Sequence, residues 1–128
     1  MIAGSIDVTV TILVTDYGVE DILRMGFDGI SEWGHLDMSR EDLIGEDVAA
    51  NAAKVLLNKG AITIVDNEDM SDSWPLTLEK LISGVKWFIE EEDNGAAYLN
   101  DGKLMTDCLD DFAADQIIQY ALFEEILY

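Results

Sequence analysis

Residues 6–15 alternate between apolar and polar. Ile6, Val8, Val10, Ile12 and Val14 fall on one side, Asp7, Thr9, Thr11 and Thr15 on the other, with Leu13 the exception. β-Branched side chains at period two predict a strand buried on one face. Val19, Ile22, Leu23, Gly26, Phe27 and Ile30 then follow helical spacing. They predict an amphipathic helix with Asp16 as N-cap and a stop near Gly29. Ile30 to Met38 reads as a loop carrying Trp33 and His35. A second helix is expected from Ser39-Arg40-Glu41-Asp42 to Asn58-Lys59-Gly60, with a break at Gly45 and an inner face of Ile44, Val48, Ala52, Val55 and Leu56.

Ala61 to Val65 and Trp74 to Thr77 read as two strands joined by the acidic turn Asp66 to Ser73. Pro75 donates no ladder hydrogen bond, which places its strand at an edge or Pro75 at the strand's own end. Thr77 caps a third helix whose apolar face is Leu78, Leu81, Ile82, Val85 and Ile89. Ala96 to Leu99 is a short strand turned by Asn100-Asp101-Gly102. The final helix starts around Asp110 and buries Ala114, Ile117, Ile118, Ala121 and Leu122. The order predicts one α+β domain over residues 1–128: a small, mainly antiparallel sheet of three to four strands packed by about four helices.

Charge changes this ordinary picture. The 128 residues hold 27 Asp and Glu against 7 Lys and Arg, a formal net charge of −20. A chain of this length folds to a diameter of about 35 Å. Duplex DNA carries about 20 charges over a similar length. The apolar half of the composition excludes a disordered acidic tail. Like-charge repulsion excludes anionic lipid and direct nucleic-acid binding. The start of the chain has no basic stretch ahead of its apolar residues, and no apolar run approaches a membrane span. The lone Cys108 allows no internal disulfide, which suits a reducing cytoplasm.

Catalytic motifs are missing. His35 and Cys108 sit in no nucleophile pattern, and the expectation is a surface histidine and a core cysteine. Asp66-Asn67-Glu68-Asp69 starts like a calcium loop but has Ser71 and Thr77 where that loop needs Gly and Glu. A non-enzyme with no cofactor and no metal site is expected. Three acidic clusters remain as candidate partner-binding residues: Asp66, Glu68, Asp69 and Asp72; Glu90, Glu91, Glu92 and Asp93; Asp107, Asp110 and Asp111. Asp110 and Asp111 also suit a helix N-terminus, whereas Glu90 to Asp93 oppose the dipole at a helix C-terminus. Trp87 lies opposite the apolar stripe of its helix, covered by a loop or free to anchor an interface.

The closing stretch Ala113-Ala114-Asp115-Gln116-Ile117-Ile118-Gln119-Tyr120-Ala121-Leu122-Phe123-Glu124-Glu125-Ile126, with Gly29-Ile30-x-x-Trp33 and Leu76-Thr77-Leu78-Glu79-Lys80-Leu81, resembles a family of small acidic proteins of bacteriophages and mobile elements. Many members carry Cys just after the Trp33 equivalent, whereas this chain has Gly34, which argues against a universal catalytic cysteine. The resemblance implies an anti-defence role in a bacterial cytoplasm. Together with the charge it predicts a non-catalytic inhibitor of a basic, nucleic-acid-binding host protein, such as a CRISPR nuclease or restriction enzyme, through a surface that mimics nucleic acid. Two alternatives stay open: a small-molecule pocket near Trp33 and His35, and an acidic accessory protein without mimicry.

Overall fold

The computed structural model describes residues 3–4, 12–91, 98–100 and 102–128. Most of the first predicted strand, Ile6 to Thr11, lies outside them, as do Glu92, Asp93, Ala96 and Ala97. Within residues 12–14 the alternation persists: Ile12 and Val14 pack against the core while Leu13 is exposed.

The first helix, α1 (Asp16–Gly29), is capped by Thr15, whose hydroxyl accepts from the Gly18 amide. Asp16 is therefore a first-turn residue and not the cap. The supposed loop after α1 contains a strand, β1 (Gly34–Leu36). The second helical region splits into a 3-10 turn (Glu41–Leu43) and α2 (Val48–Leu57). Asp47 caps α2 by accepting from the Ala50 amide. Ile44 falls in the break and is exposed, not part of an inner face.

β2 (Ala61–Asp66) and β3 (Ser73–Thr77) form the expected hairpin. β2 also pairs with β1, giving an antiparallel sheet of order β1-β2-β3 with Pro75 on an edge strand. The register pairs Ile62 with Leu76 and Ile64 with Trp74 and Leu36, so these side chains share the inward face. Thr77 accepts from the Lys80 amide at the start of α3 (Leu78–Glu91). On α3 the buried line is Leu81, Val85 and Phe88; Ile82, expected inside, is exposed. β4 (Leu99–Asn100) and β5 (Lys103–Leu104) form a small hairpin, which Leu13 joins through bonds to Gly102 and Leu104. Asp110 caps α4 (Asp111–Phe123), accepting from the Ala113 amide at 2.8 Å. The described residues thus form an α+β fold of four helices, a three-stranded antiparallel sheet and a two-stranded hairpin. None of these helices is long and apolar enough to cross a membrane.

Helix α4 lies between α1 and α3, and two glycines let the backbones approach. A β-carbon on Gly29 would collide with the Asp111 carbonyl oxygen, and one on Gly84 with the Ile117 carbonyl oxygen. Gly26 meets Ile118 and Gly29 meets Asp115, so α1 runs against α4. The end of α1 is thereby placed at the start of α4.

Candidate functional site

The turn after α1 builds the site. The Trp33 and Gly34 amides both donate to the Ile30 carbonyl, at 2.8 and 2.9 Å, reversing the chain into β1. This turn sets Trp33 into an apolar cluster with Ile30, Ile64 and Ile118, against which Trp74 and Phe123 also pack. Its indole N–H donates to Asp115 Oδ1 at 2.9 Å. Its ring stacks on Tyr128, with centroids 4.7 Å apart and planes 3° from parallel.

Tyr128 is held there by Gln119, a buried polar residue. Gln119 Oε1 accepts from the Leu127 and Tyr128 amides at 2.9 and 2.8 Å, and its Nε2 donates to Asp115 Oδ1 at 3.0 Å. Glu124, in the left-handed conformation at φ 62°, ends α4 and turns the following residues back toward Gln119. The Tyr128 hydroxyl reaches Asp66 Oδ2 at 3.5 Å. Burial raises the phenol's pKa, and the nearby charges of Asp66, Asp72 and Glu68 add to the shift.

Beside this stack, between the end of α1 and the start of α4, runs an open groove of about 630 Å³. Trp33, Phe112 and Tyr128 give it aromatic walls. Asp28, Glu32, Asp111 and Asp115 give it four carboxylates, and no Lys or Arg lines it among the described residues. Tyr128 thus joins two of the predicted clusters: it contacts the hairpin-turn acids on one side and shares the groove with Asp111 on the other.

The predicted residues divide by role. Asp66 accepts from the Glu68 and Asp69 amides, and Asp69 from the Ser71 amide and hydroxyl, so both carboxylates shape the turn. The Ser71 hydroxyl holds the Asp69 carboxyl below its ordinary pKa. Glu68 and Asp72 are exposed on that turn, and Asp107 is exposed in the 3-10 turn Thr106–Cys108. Glu90 is exposed near the end of α3, which closes with Glu91; Glu92 and Asp93 fall outside the described residues. Trp87 is half-buried and packs against the main core. The sequence reading missed Asp28, Glu32, Phe112, Asp115, Gln119 and Tyr128. Gln119 did carry a signal: an amide between Ile118 and Tyr120, four residues after Asp115, in an apolar helix.

His35 and Cys108 do not meet the groove. The register puts His35 opposite Val65, on the face of β1 away from Leu36's partner Ile64. Asn67 Nδ2 donates to the Ser31 carbonyl, and Asn67 Oδ1 lies 2.7 Å from His35 Nδ1. Cys108 is exposed, which corrects the expectation of a core thiol. Among the described residues no three His, Cys, Asp or Glu side chains gather closely enough to hold a metal ion.

The arginines lie elsewhere. Arg24 grips Asp47 through both guanidinium nitrogens at 3.0 Å and meets Glu20 at 3.2 Å. Arg40 grips Asp42 and donates to the Ala61 carbonyl at the start of β2. These bonds hold Asp42 and Asp47 below the ordinary carboxylate range. Lys54 joins Arg40 around a smaller groove of about 280 Å³ next to Gly60. β2 spans about 20 Å between this cation-bearing end and the Asp66 turn. The chain matches no protein-family model, no curated protein and no solved structure.

Proposed function

We propose that this chain is an accessory protein of a phage or mobile element. It inhibits a basic, nucleic-acid-binding defence protein of the host without catalysis. Its acidic groove end enters a channel built for nucleic acid, where the carboxylates meet the arginines and lysines that hold phosphates. The observation that carries this reading is the division of charge. The two arginines are engaged with Glu20, Asp42 and Asp47, and no Lys or Arg lines the groove or forms an ion pair with the hairpin-turn acids among the described residues. Charge needed only for solubility has no reason to collect around exposed aromatic rings.

The test is competition. Guide-loaded CRISPR nucleases and restriction enzymes are assayed for DNA binding with and without the protein. Binding of DNA is expected to fall as the protein is added, and the inhibition to weaken steeply between about 50 and about 500 mM salt. A target that holds DNA and this protein together, with affinity unchanged across that range, would sink the reading. The groove also supports a second reading, a small-molecule binding protein, whose ligand would have to be cationic.

A further inference from the structure

We propose that the groove between the end of α1 and the start of α4 receives the guanidinium group of an arginine presented by the partner protein. The choice of ligand follows from the lining. The groove volume of about 630 Å³ suits a side chain with its flanking residues. Four carboxylates repel any anion. Phe112 and Tyr128 remain 66% and 54% exposed beside those carboxylates, an arrangement that suits a cation lying over a ring.

The nature of the cation follows from how the carboxylates are spread. Among the described residues they do not converge to a metal-binding group. A compact ion would therefore keep its water and gain little. Guanidinium is broad, planar and weakly hydrated, and it satisfies carboxylates at its edge while stacking on a ring with its face. Lysine, a small and strongly hydrated charge, does one of these at a time. Asp115 lines the groove and is held in place. Its Oδ1 takes the bonds from Trp33 and Gln119, and Oδ2 has no hydrogen bond among the described residues.

This inference takes its partner from the proposed function, but the groove is testable alone. The indole N–H resonance of Trp33 reports on Asp115 in a two-dimensional NMR spectrum. Three short peptides, identical except for one arginine, lysine or citrulline, are titrated against the protein. The arginine peptide is expected to move the Trp33 resonance, the lysine peptide to bind several-fold more weakly, and the neutral citrulline peptide to leave it in place. Glu32→Gln and Phe112→Ala should each weaken the arginine peptide by about tenfold, a loss of about 1.4 kcal/mol. Both side chains are exposed, so the fold survives. Glu79→Gln, an exposed acid outside the groove, should not weaken it. Equal binding of citrulline, or an equal loss in Glu79→Gln, overturns the proposal, because either outcome reduces the contact to shape or to diffuse charge. Free argininamide binding as tightly as the peptide would assign the groove to a small molecule and overturn it too. If peptide binding fails while competition with DNA holds, only the groove falls. If the peptide binds and competition fails, only the mimicry falls.

Discussion

The two ends of β2 use carboxylates in opposite ways. At the Ala61 end and at the head of α2, acids are partners: Asp42 is gripped by Arg40, and Asp47 both caps α2 and grips Arg24. Around the groove beyond Asp66, acids face aromatic rings and meet no cation of their own chain among the described residues. The difference teaches that net charge alone says little. Some acids in this protein stabilise it, and others are carried at a cost in self-repulsion. Acids of the second kind are the ones that need an external reason.

The sharpest way to break the contrast is to test how tightly each end is built. Gly29→Ala drives a β-carbon into the Asp111 carbonyl, an unyielding backbone atom at the groove. It should cost about 2 kcal/mol in denaturant unfolding even after the helix-propensity gain of alanine. Gly60→Ala, at the cation-bearing end, meets Val55 Cγ1 at 2.9 Å and the Val55 carbonyl oxygen at 3.0 Å, a milder overlap, and should cost less. Equal losses would mean the groove end is no more tightly set than the other.

Next in size is the amide that holds the aromatic stack. Gln119→Leu removes the acceptor for the Leu127 and Tyr128 amides and should cost about 1–3 kcal/mol. Tryptophan emission should shift to the red as Tyr128 leaves Trp33. Unchanged emission would show that ring contacts alone keep residues 126–128 in place.

A smaller effect separates the two kinds of acid directly. Asp47→Ala loses a helix cap and an arginine partner and should lower the melting temperature. Glu32→Gln loses neither and should leave it unchanged or slightly raised. If Glu32→Gln melts as early as Asp47→Ala, the groove acids are structural and the contrast fails.

The smallest effect is in pH. Asp42 and Asp47 have folded pKa values depressed chiefly by hydrogen bonds from their arginines, and Asp69 by the Ser71 hydroxyl. Each group's contribution to stability is full above its unfolded pKa of about 3.9 and is lost as pH falls through the lower folded value. Acid titration of Asp47→Ala should therefore show a shallower loss of stability below about pH 4 than the parent. Parallel curves would remove the arginine pair from the account.

Much of the fold was legible because it is local. The spacing of Val19, Ile22, Leu23 and Gly26 reports α1, and Asp110 at the head of an apolar run reports the cap of α4. β1 was not legible: Gly34-His35-Leu36 has no alternation to read, and only its pairing with β2 makes it a strand. Ile82 was misjudged and Phe88 passed over because helical periodicity gives a stripe but not its centre, which the contact with α4 decides. Asp66 and Asp69 were found as acids, but their bonds to the amides of the hairpin turn depend on turn geometry. The groove was hidden for a different reason. Trp33 and Asp115 stand 82 residues apart, and Tyr128 belongs to no periodic pattern. Nothing in their neighbours announces that a turn, a helix start and the residues after α4 will meet.

The exposed thiol of Cys108 gives all of this a practical reach. It is the chain's one cysteine and sits three residues before Asp111, where α4 and the groove begin. A single fluorophore or spin label can therefore be attached three residues from the groove's Asp111 in the unmutated protein. Arrival of a partner can then be timed at that position, and its distance measured, with every native charge still in place.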